Sequence, residues 1–503
     1  MDFLNSILLG FQVCLQPINL MYCFIGVLLG TLIGVLPGIG PLGAIALLLP
    51  TTFKISPVSG MIMIAGIYYG SMYGGSTTSI LLNIPGESAS VITTLDGYQM
   101  ARKGRAGPAL GIAAFGSFIG GTLSIIGLIF IATPLAKIAL KFGPPEYFSL
   151  VCLGLIITTF LGRGSIAKAL AMVAFGLILS SIGIDIVSGQ TRFTLGILEL
   201  SDGISIVPIT MGLFGISEVL INIETTIHQE IFETKIKNLL PTLRDWANSI
   251  GAILRGSVIG FFLGALPGGG AILSSFVSYA VEKKISKHPE KFGTGVIEGV
   301  AGPETANNAG TGGAFVPLFA LGIPCNPVTA ILLAALMIHG LQPGPLLLKQ
   351  NPDLFWGTII SMYIGNIMLL ILNLPLIGVW VRILRIPYRI LFPLIVLFCI
   401  IGAFSVSRSI FDIAIMILFG ILGYFMKKFK YEGAPLILAF VLGPMFEKNL
   451  HQSLIIADGS FMIFFTRPIS AIAILICFFL LVISFIPFFK RQKIAELLEK
   501  TDD

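Results

Sequence analysis

Apolar runs long enough to cross a bilayer as helices recur along all 503 residues. The pattern predicts spans at 110–136, 146–161, 166–182 and 204–222. It predicts a second series at 354–381, 390–407, 409–426 and 434–447, and a further run at 468–489. Residues 1–18 read as a short N-terminal interfacial or membrane-entering helix. Polar residues fall in two kinds of place. Some form charged loops between runs. Others interrupt apolar stretches without breaking their overall character, and these interruptions are rich in Gly and Pro. The pattern defines an all-α polytopic membrane protein.

The interruptions repeat. GVLPGIGPLGA (34–44) returns as GALPGGGAILS (264–274), with Pro37 and Pro267 separated by 230 (267 − 37). NIPG (83–86) returns as GIPC (322–325), with an offset of 239 (324 − 85). SIAKALAMVAFGLIL (165–179) matches SIFDIAIMILFGILG (409–423), and Glu218 matches Glu447. Collinear pairs of this kind indicate an internal duplication. The expected organisation is the N-terminal helix (1–18), a first repeat (19–222), a polar cytoplasmic linker with a short surface helix (223–248), a second repeat (249–447), and an extra C-terminal transmembrane helix with its tail (448–503). Equivalent loops differ in basic content: RKGR (102–105) faces GLQPGP (340–345), and MKKFKYEG (426–433) faces an acidic loop at 183–203. Basic loops stay in the cytoplasm, so the two repeats are expected to have inverted topology. Inverted repeats with discontinuous helices and re-entrant segments are a plan of secondary transporters.

Composition sharpens the class. The chain is 55% hydrophobic and 11% charged, with mean hydropathy +0.96, against about 25% charged residues in soluble proteins. The net charge of +6 sits in loops rather than in a basic stripe with aromatics, which argues against nucleic acid. The six cysteines lie mostly inside apolar runs without CxxC spacing and read as small apolar residues. The opening MDFLNSILLG lacks a basic n-region, so no cleavable signal is expected.

Three polar stretches carry the candidate chemistry. At the two LPG breaks, Gly38, Gly40, Gly268, Gly269 and Gly270 allow close approach to backbone, and the helix resuming there offers free N–H groups to an anion. The competing reading is tight helix packing by small residues. In GGSTTSILLNIPGES (74–88), Ser76, Thr77, Thr78 and Asn83 can replace water around a carboxylate or a sodium ion. They can equally bond back to their own helix. In AGPETANNAGTGGAFVPLFALGIPCNP (301–327), Glu304, Asn307, Asn308, Thr311 and Asn326 stand in an apolar setting among glycines and prolines. That stretch is expected to be broken backbone at membrane depth, tolerated where it lines a cavity or is buried in protein. An intramembrane carboxylate is a functional candidate by default. Glu304, Asn308 and Thr311 can coordinate a cation through oxygen, or Glu304 can carry a proton. The plain alternative for Glu304 is a helix cap.

These strings, together with YGGSTTSILLNIPGESASVITTLDGYQMARKGRAG and GALPGGGAILSSFVSYAVEK, resemble the large membrane subunit of the tripartite tricarboxylate transporters, the TctA family. The resemblance implies a bacterial inner-membrane system. It implies a small four-helix membrane subunit (TctB-like) and a periplasmic solute-binding protein (TctC-like) as partners. It implies uptake of organic anions such as citrate by symport with sodium or protons, and no ATP or other cofactor. The absence of a P-loop agrees. Other classes fit less well. No HExxH, GxSxG or Ser/His pairing for an intramembrane enzyme occurs. A stand-alone carrier or an anion channel remains as an alternative, although paired inverted breaks are not the repeated filter of a channel.

Overall fold

The computed structural model describes the chain except for residues 1–2, 37–39, 162–164, 186–187, 225–238, 384–387 and 500–503. Its helices are α1 (Phe3–Cys14), α2 (Pro17–Val35), α3 (Gly40–Thr52), α4 (Pro57–Leu82), α5 (Thr93–Arg102), α6 (Ala106–Ala139), α7 (Pro144–Leu161) and α8 (Ile166–Ser180). A two-residue hairpin follows, β1 (Gly183–Ile184) with β2 (Thr191–Arg192). Then come α9 (Ile206–Thr210), a π-helical turn at Met211–Ile216, and α10 (Ser217–Glu224). The remainder is α11 (Leu243–Gly264), α12 (Gly270–Ile285), α13 (Glu298–Leu321), α14 (Pro327–Ile338), α15 (Pro345–Gln350), α16 (Pro352–Asn373), α17 (Ile377–Ile383), α18 (Tyr388–Ser407), α19 (Ile410–Lys428), α20 (Gly433–Ile456), α21 (Ile463–Thr466) and α22 (Pro468–Glu499). Among the described residues, six helices are long and apolar enough to cross a membrane: α2, α6, the α9–α10 segment, α11, α16 and α19. The expected all-α polytopic class is what the chain forms.

The chain packs into two units. One comprises 1–140 and 205–425; the other comprises 141–204 and 426–503. Each draws on both sequence repeats. In the smaller unit, α20 lies against α7 and α8, and α22 lies against α7. Phe148 packs on Phe446 and Phe464, and Ser149 and Ser470 share a 2.6 Å hydrogen bond. Arg192 holds Glu447 with two hydrogen bonds of 2.5 and 3.0 Å, so Glu447 pairs with the acidic loop's lone arginine.

In the larger unit, α4 and α13 are buried over nearly their full lengths. α2 runs along α4, and α13 lies against α6 and α11. The close approach depends on missing side chains. A Cβ on Gly26, Gly30 or Gly34 of α2 would run into the carbonyl oxygens of Met63, Ile67 and Ser71 on α4. A Cβ on Gly256, Gly260 or Gly264 of α11 would run into those of Gly302, Ala306 and Gly310 on α13. The second set is the first shifted by 230 on one helix (256 − 26) and by 239 on the other (302 − 63). Without a hydrophobic drive between helices in lipid, such small-residue seams hold helices by dispersion.

Three expectations are refined or corrected. The segment 301–327 is not broken throughout: α13 runs unbroken to Leu321 and carries Pro303 and Pro317 inside it. Its glycines serve packing against α6, α11 and α12 rather than unwinding. The break is confined to 322–326. Likewise Ser76, Thr77 and Thr78 sit on helical backbone in α4. The expected span 354–381 ends at Asn373 instead, where α17 begins a separate short helix four residues on. Of the expected linker, 225–238 lie outside the described residues, and 243–248 already form the start of α11 under a Thr242/Asp245 capping box. The N-terminal helix packs on α16, with Gly10 against Trp356 and Ile360.

Candidate functional site

Both helices end the same way. α4 stops at Asn83 with φ 59°, and α13 stops at Gly322 with φ 70°. Both are left-handed caps, 239 residues apart (322 − 83). Each leads into an Ile-Pro turn. Gly86, after the first, stacks on the Gly34 carbonyl; the carbonyl of Cys325, after the second, accepts 2.7 Å from Gly268 N–H. In the second half the turn thus meets the LPG break, and in the first half it meets the last turn of α2 before it. In the second half the break is real: α11 ends at Gly264 and α12 restarts at Gly270 without a side-chain cap. Gly268 and Gly270 have φ 75° and 55°, which side-chain-bearing residues rarely adopt. The buried Gly269 stands against Leu263 O. Asn326 lies beside Gly270, caps α14 through Thr329, and donates 3.0 Å from Nδ2 to the Tyr68 hydroxyl on α4.

The acidic centre lies deeper. Glu304 is fully buried. Its two carboxylate oxygens accept from the hydroxyls of Ser76 on α4 and Thr93 on α5. Asn308, one turn on, donates from Nδ2 to Ser117 Oγ on α6 at 2.7 Å and to the Glu304 carbonyl at 3.2 Å. Asn307 donates from Nδ2 to Glu87 Oε1 at 3.0 Å, and Ala89 N–H donates to Glu87 Oε2 at 2.5 Å. Glu87 is 6% exposed and within electrostatic reach of Glu304. Among the described residues no basic side chain pairs with either carboxylate. The buried oxygens Asn307 Oδ1 and Asn308 Oδ1 have no partner. A buried carboxylate without a counter-charge is strongly disfavoured as the bare ion, so this centre calls for a proton or a bound cation.

The expected residues therefore divide. Ser76, Glu304, Asn307 and Asn308 meet in the acidic centre. Gly268, Gly269, Gly270 and Asn326 meet at the second break, and Thr311 donates to its own helix at Asn307 O, 3.2 Å. Thr78 donates to its own helix at Gly75 O, 3.0 Å, and Thr77 is buried without a described hydrogen bond to either group. Asn83 is exposed and serves as the cap of α4. Gly40 opens α3 with open space around its Cα, and Gly38 lies outside the described residues. The reading of single residues missed Glu87, Thr93, Ser117 and Tyr68. One signal was available for Glu87: it stands 239 before Asn326 (326 − 87), the spacing already seen between the two Ile-Pro turns.

An all-α chain with several membrane-length helices around a buried polar junction is a multi-pass membrane protein. The chain belongs to the tripartite tricarboxylate transporter TctA family, whose profile matches residues 20–438. It is therefore a component of a tricarboxylate transporter, from a family of transporters that work with partner subunits. The chain is similar to an "Uncharacterized 52.8 kDa protein in TAR-I ttuC' 3'region" of Agrobacterium vitis, 51% identical over 500 residues, covering 99% of this chain and 100% of that one. It is also similar to an "Uncharacterized protein in TAR-II ttuC' 3'region" of the same organism, 53% identical over 212 residues, covering 42% of this chain and 88% of that one. A protein of Methanocaldococcus jannaschii is 25% identical over 281 residues, covering 54% of this chain and 64% of its own length. No solved structure matches the chain.

Proposed function

We propose that this chain is the large transport subunit of a binding-protein-dependent secondary transporter that imports di- or tricarboxylates, or related organic anions, across a bacterial inner membrane. A small four-helix membrane subunit and a periplasmic solute-binding protein complete the system. Import is coupled to sodium or protons and proceeds by alternating access, with one module, built from the broken helices and the 74–88 and 301–327 segments of the two inverted repeats, moving against the other spans. The anion is held at the uncapped start of α12 by the N–H of Gly270, in the turn that Gly268 and Gly269 shape through their bonds to Cys325 O and Leu266 O, with Asn326 beside it and with Gly38 and Gly40 as counterparts in the other half. A helix start with free N–H groups suits a carboxylate.

The observation that carries this reading is the pair of buried carboxylates, Glu87 and Glu304, set among hydroxyls and amides with no basic partner among the described residues. Such a centre takes up positive charge when it is loaded and gives it up when it is emptied. That property is what couples an anion's entry to a cation gradient.

The test is uptake of radiolabelled tricarboxylates and dicarboxylates into proteoliposomes holding the chain and both partners. Uptake should need the binding protein and an imposed sodium or proton gradient. Glu304→Gln and Asn308→Ala should each lower it at least about tenfold, the loss expected for leaving one buried hydrogen-bonding group without its partner, while membrane insertion is unchanged. Uptake indifferent to both gradients, or unchanged in both variants, contradicts the reading.

A further inference from the structure

Asp96 is a carboxylate that neither the helix breaks nor the acidic centre uses. It stands one turn beyond Thr93 on α5 and is fully buried. Its Oδ1 accepts from the backbone N–H groups of Gly293, Gly295 and Val296 at 3.0, 2.7 and 2.9 Å. Its Oδ2 accepts from the Tyr279 hydroxyl of α12 at 2.9 Å and again from Gly293 at 3.0 Å. A carboxylate held by backbone N–H groups in this way makes strong, charge-assisted bonds. The α12–α13 loop (286–297) is thus wrapped around one side chain of the first repeat. The wrap needs glycine. Gly293 and Gly295 have φ 86° and 105°, and a Cβ on Gly295 would press on the α5 backbone at Met100 and Gln99. A Cβ on Gly299, in the first turn of α13, would run into the carboxylate itself. Lys103, just past α5, adds a 2.5 Å hydrogen bond from Nζ to Thr294 O, and Tyr279 packs edge-on against Phe292.

The other half lacks this clasp. α5 and α14 each follow an Ile-Pro turn, and at the shift of 239 Asp96 corresponds to Ala335 (96 + 239) and Thr93 to Leu332 (93 + 239). The shift grows from 230 between α2 and α11 to 239 between α4 and α13, so the second copy gains nine residues (239 − 230) between those helices. The gain falls where Asp96 holds the chain: the loop is 286–297 in the second copy and 53–56 in the first. Exposed Lys283, Lys284, Lys287 and Lys291 stand with Arg102 and Lys103 at this end, and such basic loops stay in the cytoplasm. Thr93 and Asp96, three apart on one face of α5, tie that helix to Glu304 and to the loop respectively.

We propose that Asp96 is a positioning residue of the transport cycle: a latch on the cytoplasmic face alone, which keeps α5 on the α12–α13 loop, holds the Thr93 hydroxyl on Glu304, and opens when the acidic centre is exposed to the cytoplasm. Two repeats built alike favour neither side, whereas a latch on one side favours the state closed there. The inference rests on the alternating-access reading. Weakening the latch lowers the fraction of chains open to the outside, and apparent affinity from that side falls in proportion.

The experiment is uptake into proteoliposomes holding the full chain and both partners, with rate measured against the concentration of loaded binding protein. Tyr279→Phe removes one bond to Asp96 and keeps the ring on Phe292. It should raise the half-saturating concentration at least about threefold and leave the maximal rate within about twofold. Asp96→Asn, which turns a donor toward the loop N–H groups, should raise that concentration at least about tenfold. A Cβ on Gly299 lies 3.1 Å from the Asp96 Cβ, close to the disulfide span of about 3.5–4.5 Å. Asp96→Cys with Gly299→Cys therefore replaces the latch by a bond that cannot open. Oxidised, that pair should transport at less than about a tenth of its reduced rate, with reductant restoring uptake, as for a gating step held shut. An oxidised pair at least as active as the reduced one makes Asp96 a permanent brace and overturns the inference. An unchanged half-saturating concentration in Tyr279→Phe overturns it as well, whether or not the Asp96 variants fold. No gradient-driven uptake by the unaltered chain removes the transport reading and the latch together. Uptake by the unaltered chain with either overturning result removes the latch alone.

Discussion

Asn307 and Asn308 show how much one residue's surroundings decide. Both are amides on one buried helix, and both spend their N–H groups on fixed acceptors. Their oxygens are then orphaned, each at a cost of about 1–3 kcal/mol unless something fills the gap. Glu304, Asn307, Asn308 and Thr311 were legible in the sequence because polar residues clustered in an apolar stretch are hard to explain otherwise. Glu87 was not, since a lone Glu after an Ile-Pro turn reads as a solvated loop residue. Tyr68 and Ser117 were not, since isolated polar residues on apolar helices usually bond their own backbone. The geometry makes Glu87 a partner of Glu304. Glu87→Gln should cut gradient-driven uptake at least about tenfold, as for loss of a buried charged group, with the chain still inserted and monodisperse; uptake at the unaltered rate would remove Glu87 from the centre.

At the level of elements, the two helix breaks and their repetition were readable, because Pro removes a backbone donor wherever it falls. The continuity of α13 was not. Glycines and prolines at 301–317 look like unwinding when counted, yet Gly302 and Gly310 give α12 its close approach, and Pro303 and Pro317 are accommodated in a helix buried on every side. Gly264→Val should disrupt the α11–α13 seam, because its Cβ would overlap the Gly310 backbone. Overpacking of this kind costs about 1–3 kcal/mol, read as a lower unfolding midpoint in detergent. Gly378, which has open space around its Cα, is the control: Gly378→Ala should leave the midpoint in place. Gly322→Ala should cost about 1–2 kcal/mol, since the left-handed cap at φ 70° penalises a side chain. An unchanged midpoint in Gly322→Ala would show that the cap relaxes.

At the level of the molecule, recurrence is the organising fact. The glycine seams, the left-handed caps and the Ile-Pro turns recur at shifts of 230 and 239, and side chains from both copies meet at Glu304, Asn307 and Asn326. Loop charge argues that the copies face opposite ways, and that orientation is what lets one site open to either side in turn. The most direct measurement is sided labelling of two equivalent loop positions. Lys103 and Gln342 are both exposed and stand 239 apart (342 − 103), while the native cysteines are buried or half-buried. In intact cells, a membrane-impermeant maleimide should modify Gln342→Cys from the outside and reach Lys103→Cys only after the membrane is opened. Labelling of both positions from the same side would contradict the inverted arrangement and, with it, the shared site between the two copies.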